Sequence, residues 1–395
     1  MKIISLIALI TLLSVSAKPQ TFKLNYASSF KQALKNSKTD NKPIALFFFL
    51  KNGENCKGFS KDFFYKRELV SAFNQKTIPY RVNLETKEGK SLIQQYGIST
   101  YPSLVFVDSK KNRIHKVAGQ MSTQRGLETL NNLTEQTNTL AFLEKTYKTK
   151  NPKKPEFLLQ YSEALVAAAE SYQEIINEYF DALTDEQLFQ AENVDAIIKY
   201  SKDIYSREFI SFAKKYTVVK TKNIPESAKL LKVEELISNH LMNALSKDQK
   251  LNVRDSLQKI IEFYQIRNVA ELNSRVWMDY YRLQSKPDNY VNAIIEYTNH
   301  HLGLLSGSEI AELCYEIMEQ NRQAEIDFQA LTWINEANDR DPSLEGSYTR
   351  LLLLVKVNQI EEAEDYRRLI RERYSDELTS EWEQKLENSI HKRDN

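Results

Sequence analysis

Cys56 is one of only two cysteines in the chain, and its surroundings concentrate what reactive chemistry the sequence offers. The segment reads Asn52-Gly53-Glu54-Asn55-Cys56-Lys57. It follows a continuous apolar run, Ile44 to Leu50, and precedes apolar residues at helical spacing, Phe59, Phe63, Phe64, Val70 and Phe73. A thiol between a strand and the first turn of a helix has its pKa lowered by the helix terminus and becomes a better nucleophile. A lone cysteine also serves as a small buried packing residue, and both readings of Cys56 stand. Cys314, inside Ile310-Ala311-Glu312-Leu313-Cys314-Tyr315-Glu316-Ile317, reads as core. Glu296 and His300 share one helical face, but a metal site needs more convergent ligands than these two. No phosphate-cradling glycine loop, metalloprotease helix or nucleophile elbow is found. No cofactor and no metal are therefore expected.

The elements that must hold the Cys56 loop follow in order. Lys42 to Leu50 has the length and composition of a strand buried on both faces. Ile78 to Leu84 reads as the next strand, and Ser91 to Tyr96 as a short helix ended by Gly97. Ile98-Ser99-Thr100-Tyr101-Pro102-Ser103 is a turn, and Leu104–Asp108 with Arg113–Gly119 reads as a hairpin around Ser109-Lys110-Lys111-Asn112. A helix from Thr123 closes the set.

This pattern resembles the thioredoxin family, which carries Cys-x-x-Cys between its central strand and the next helix. Lys57, Phe59, Phe63 and Phe64 follow Cys56 as residues follow the family's second cysteine. The resemblance therefore places Cys56 in the resolving position and Gly53 where the nucleophile normally stands. It also implies that Pro102 is the family's cis-proline and that Tyr101 and Pro102 border the surface receiving extended polypeptide. Gly53, Glu54, Asn55, Tyr101 and Pro102 are thus candidate binding residues, and Cys56 is the candidate catalytic one.

Met1 to Ala17 has the features of a secretory leader: Lys2, an apolar core from Ile3 to Val15, and the small-residue site Val15-Ser16-Ala17. No later stretch has the length of a membrane span. The expectation is an exported protein, periplasmic or secreted. The net charge of +1 hides an asymmetry. Residues 18–140 hold 20 Lys/Arg against 9 Asp/Glu, and residues 141–395 hold 33 against 44. The lysine-rich stretches lack the interleaved aromatics of a nucleic-acid platform, so no nucleic-acid partner is expected.

From about Thr139 the chain reads as all-helical, with stripes such as Leu158/Tyr161/Leu165, Ile175/Ile176/Tyr179 and Leu257/Ile260/Ile261/Tyr264. Near its end it resembles the tetratricopeptide repeats. Ala330, Ile334, Ala337 and Pro342 fit the second helix of one unit, and Tyr348, Leu351, Asn358 and Ala363 fit the next. Helical hairpins of that kind stack as a solenoid. The predicted organisation is a leader over 1–17, an α/β thioredoxin-like domain over 18–138 and an all-α helical-hairpin solenoid over 139–395.

Thiol-disulfide exchange begins with thiolate attack and ends when a second cysteine resolves the mixed disulfide. Gly53 removes one of the two sulfurs. The leading expectation is a polypeptide-binding or chaperone-like module of the cell envelope, with a protein partner. The alternative is a monothiol thiol-disulfide oxidoreductase acting through Cys56.

Overall fold

Five successive apolar residues, Ile44–Phe48, form the central strand β1 because neither of its faces meets water. The computed structural model describes residues 23–50, 66–150, 153–321, 323–375 and 377–391. Within these, one compact unit ends at Leu183 and a second begins at Thr184. The change of pattern near residue 138 falls inside the first unit.

The first unit opens with α1 (Phe30–Asp40), capped by the Ser29 hydroxyl, which accepts from the Gln32 N–H. After β1 come α2 (Arg67–Lys76), β2 (Ile78–Val82) and α3 (Lys87–Gln95), followed by β3 (Ser103–Val107), β4 (Arg113–Ala118) and α4 (Thr123–Glu135). The sheet order is β2-β1-β3-β4, with β1 parallel to β2 and antiparallel to β3. Side chains alternate across it, as the two-residue period of a strand requires. Ala45, Phe47, Leu104 and Phe106 pack with Leu69, Val70 and Phe73 of α2 and Leu130 of α4. Ile44, Leu46, Phe48, Val105 and Val107 pack with Phe30 and Ala33 of α1 and Leu92 of α3. Each such aromatic or branched side chain contributes about 1.5–3 kcal/mol when fully buried.

Two boundaries differ from the sequence pattern. Lys66 is extended ahead of α2, so the helix carrying Val70 and Phe73 starts at Arg67; Phe59, Phe63 and Phe64 lie outside the described residues. Helix α3 starts at Lys87 rather than Ser91, because the Thr86 hydroxyl caps it by accepting from the Gly89 N–H. Gly89 has no room for a side chain. A Cβ there would lie 1.9 Å from the Asn83 carbonyl oxygen. Gly89→Ala is therefore expected to destabilise the first unit. Overpacking costs on the order of 1–3 kcal/mol and outweighs the gain of roughly 0.8–1 kcal/mol in helix propensity. Chemical denaturation followed by hydrogen exchange in α3 measures the balance, and a net stabilisation would contradict the close approach.

Three further helices complete this unit: α5 (Leu140–Thr149), α6 (Pro155–Ala167) and α7 (Gln173–Ala182). Helices α5 and α6 lie along β4, and α6 packs on α7. Tyr147 donates to the Glu178 carboxylate, and the Lys153 ammonium lies 4.1 Å from the Tyr147 ring centroid.

The second unit is helical throughout its described residues, in agreement with the apolar stripes. A short 3-10 turn, Gln187–Phe189, precedes α8 (Ala191–Tyr200), α9 (Arg207–Ala213), α10 (Ala228–Lys247) and α11 (Val253–Tyr264). Then follow α12 (Val269–Leu283), α13 (Pro287–His301), α14 (Gly307–Gln320), α15 (Ala324–Arg340), α16 (Leu344–Lys356), α17 (Ile360–Arg373) and α18 (Ser380–His391). Consecutive helices from α12 to α17 pack as neighbours. Ala330 of α15 and Ala363 of α17 are fully buried in one continuous core with Ile334, Ala337, Leu351 and Ile370. No described helix is long and apolar enough to cross a membrane.

Candidate functional site

The strand register decides which residues can meet at the head of the sheet. Phe48, the last residue of β1, lies opposite Ser103, the first of β3. The chain leaving β1 through Phe49 and Leu50 therefore runs beside Tyr101 and Pro102. In open α/β sheets, the carboxyl ends of the strands are where loops converge on ligands. Leu50 is exposed while Phe49 is buried, so the chain emerges into solvent at this point. Gly53, Glu54, Asn55 and Cys56 lie outside the described residues.

The Tyr101–Pro102 peptide bond is cis. Pro102 is buried and Tyr101 half-buried, and the tyrosine ring packs against the apolar clusters on both faces of the sheet. Three interactions hold this turn. The Gly119 N–H donates to the Pro102 carbonyl at 2.8 Å, from a residue with φ +79° that is open to glycine. The Ser103 hydroxyl donates to the Thr100 carbonyl at 2.6 Å. At the start of the loop, Gly97 also has a positive φ, and its carbonyl accepts from the Lys116 ammonium at 2.7 Å.

Lys116 was not singled out by its sequence, because Arg113-Ile114-His115-Lys116-Val117-Ala118 reads as a strand with a polar face. Its side chain is nevertheless almost fully buried. Burial pushes its ammonium pKa down, and the Glu170 carboxylate, 3.5 Å away between α6 and α7, opposes the shift. Arg113 also pairs with Glu170. A buried cation thus links the loop before Tyr101 to strand β4 and to the helices beyond it.

His115, on the opposite face of β4, is buried against Phe106, with ring centroids 6.4 Å apart. Its Nδ1 accepts from the Leu140 N–H at 3.1 Å, which requires the neutral ring. Desolvation, then the nearby Arg125 and Arg113, lower its pKa to about 4. His115 fastens the start of α5 to the sheet.

The other sequence candidates separate in the fold. Glu296 and His300 are both exposed on α13. Among the described residues, no three metal-ligating side chains cluster closely enough to hold an ion. His301, the neighbour of His300, is fully buried: its Nε2 lies 2.9 Å from the Glu234 carboxylate and its Nδ1 2.8 Å from the Tyr297 carbonyl. Nothing in the local sequence marks that pair, since its members stand 67 residues apart. Cys314 is fully buried in α14, where its thiol donates to the Ala330 carbonyl at 3.4 Å. Desolvation pushes its pKa up to about 12, which removes it from thiolate chemistry.

Comparison with known proteins agrees with this geometry over the same stretch. A family model described as a thioredoxin-like domain matches residues 30–134. Among solved structures, a protein titled DsbH oxidoreductase is 22% identical, with a TM-score of 0.26, and the match covers 29% of this chain and 90% of that one. A thioredoxin from Thermus thermophilus is 17% identical, with a TM-score of 0.24, over 28% of this chain and 85% of its own. No curated protein matches the chain. By the family match over residues 30–134 and its own sheet, the first unit contains a thioredoxin-like α/β domain with four described strands, and a long all-helical region follows it among the described residues.

Proposed function

We propose that this chain is an exported thioredoxin-like protein with a degenerate redox motif, acting as a polypeptide-binding or chaperone-like module. One observation carries the reading: the sequence after β1 has Gly53 where the resemblance puts an attacking cysteine, while the Tyr101–Pro102 turn, next to the end of β1, is kept. With no thiol at position 53 and Cys314 buried, a mixed disulfide at Cys56 has no partner in the motif to resolve it. The turn keeps the fold's surface for extended chain, and the helical hairpins with the spacing of Ala330 and Ala363 supply further repeat-like surface. The leader-like segment Met1–Ala17 supports delivery outside the cytoplasm, to the periplasm or the medium.

The first test is insulin reduction. The wild-type chain is expected to show no turnover above the background of the added reductant. Gly53→Cys should form an internal disulfide with Cys56 under oxidising conditions and gain turnover. Wild-type turnover near that of an ordinary thioredoxin overturns the reading in favour of a monothiol oxidoreductase. Because Cys314 is buried with a raised pKa, native-state alkylation by iodoacetamide reports on Cys56, and its pH dependence gives the thiol pKa. The binding half of the proposal is tested with a photo-crosslinking amino acid at Tyr101. Reduced, carboxymethylated lactalbumin should crosslink there, and its failure to do so would remove the polypeptide-binding role from this surface.

A further inference from the structure

A second surface, wholly within the helical unit, has the features of a recognition groove. Helices α10 and α11 border a cleft of about 400 Å³ floored by Leu241, Ala244, Leu251, Ile260 and Tyr264. Two aromatic side chains stand at its rim and remain in water: Tyr205 is 57% exposed and Phe263 is 48% exposed. Large exposed aromatics over an apolar floor are the residue type that anchors protein interfaces.

The polar part of the lining has one sign. Lys259 lines the cleft beside His240 and Ser256, and among the described residues no aspartate or glutamate does. His240 meets the Tyr205 ring edge-on, with centroids 5.2 Å apart. A second ammonium, Lys214, sits 4.8 Å from the Phe263 ring centroid. Three carboxylates flank the lining in sequence and are held by neighbours: Asp203 accepts from the Tyr205 N–H at 2.9 Å, Asp255 from the Asn252 amide at 2.8 Å and Glu262 from the Gln258 amide at 2.8 Å. This contrasts with the rest of the unit, where residues 184–395 hold 28 Lys/Arg against 37 Asp/Glu. The lining itself offers an apolar floor and the single ammonium of Lys259, which favours an occupant that is apolar and anionic together.

We propose that the groove between α10 and α11 binds an extended polypeptide segment in which an aromatic or aliphatic side chain neighbours a carboxylate. The apolar side chain enters the cleft between Tyr205 and Phe263, and the carboxylate meets Lys259 and Lys214. The open rim lets the chain continue on either side, as a bound segment of a longer polypeptide must. The inference deepens the polypeptide-binding reading and rests on it, but it concerns a surface remote in sequence from Tyr101.

The test uses the full chain and fluorescence anisotropy. The probe is a fluorescein-labelled nonapeptide, Gly-Ser-Glu-Phe-Glu-Leu-Asp-Ser-Gly, with a counterpart in which lysine replaces its three acidic residues. The acidic peptide is expected to bind at least about tenfold more tightly than the basic one, with affinity falling as salt rises. Lys259→Glu and Phe263→Ala should each weaken it by about tenfold or more. Arg373→Glu, an exposed change on α17, should alter it by less than about twofold. Because Phe263 and Lys259 are not core residues, unchanged thermal melting will separate lost binding from lost folding. Equal affinity for the two peptides, or indifference to both groove substitutions, overturns the proposal. So does competition-free binding of dodecanoate with no peptide binding, which would assign the groove to a free amphiphile. Crosslinking at Tyr101 is read separately, so a failure of the groove and a failure of the general reading remain distinguishable.

Discussion

Glu234→Ala is expected to cost the helical unit about 3–5 kcal/mol, the range for removing one partner of a buried pair. Glu234 and His301 have no exposed side-chain surface, and the His301 ring stacks on Tyr297 with centroids 4.2 Å apart. The Tyr297 carbonyl accepts from Nδ1, which orients the ring with Nε2 toward both carboxylate oxygens. Losing the carboxylate leaves the imidazole Nε2 unpaired inside the core. Since domain stabilities run to roughly 5–15 kcal/mol, the loss is a large share of the whole. His301→Ala should cost a similar amount, whereas replacing both residues by leucine should cost less than the sum of the two. All three tryptophans, Trp277, Trp333 and Trp382, lie in this unit. Indole fluorescence during urea unfolding therefore follows it without interference from the first. An additive double-mutant cycle would show that the two groups do not act as a pair.

Acid is expected to weaken the first unit through His115. The folded ring holds its proton only below a pKa of about 4, against an ordinary value of 6.5. Above 6.5 neither state is protonated and the full stability is present. As pH falls from 6.5 toward 4, the unfolded chain takes up a proton that the folded chain refuses, so stability declines and the loss is complete near 4. The difference between the two values corresponds to about 3 kcal/mol. Hydrogen-exchange protection of β3 and β4, corrected for the intrinsic pH dependence of exchange, reads this decline. His115→Gln keeps an acceptor for the Leu140 N–H and has no ring to titrate, so its stability should be flatter over the same interval. Parallel declines in the wild type and the variant would move the acid sensitivity to other groups.

The elements legible in the sequence are those whose cause is local. β1 is read from five consecutive apolar residues, and α4 starts at Thr123, where the sequence places it. The all-helical half follows from its stripes. What escaped is what distant residues make possible. His115 and Lys116 are polar residues on opposite faces of a hairpin strand, yet both are buried because Leu140, Gly97 and Glu170 meet their nitrogens. The true start of α3 was hidden because Gly89 looks like a helix breaker until the Asn83 carbonyl is seen against it. At the candidate site, the Tyr101–Pro102 turn was expected through the family resemblance. The ties from Lys116 and Gly119 that hold it were not, since both reach back to it from the far end of β4.

The central position of β1 has a consequence for synthesis. It emerges before either of its partners, Ile78–Val82 and Ser103–Val107, and a growing chain folds only with what has already appeared. Until Val107 is available, Ile44-Ala45-Leu46-Phe47-Phe48 is an uncharged, proline-free apolar segment with open edges, the type that self-associates as β-structure. Lys42 and Pro43 on one side and Lys51 on the other flank it as residues that oppose such stacking. The same five residues that make the finished sheet impermeable to water therefore set a period of vulnerability in the nascent chain, with a length fixed by the distance from Phe48 to Val107.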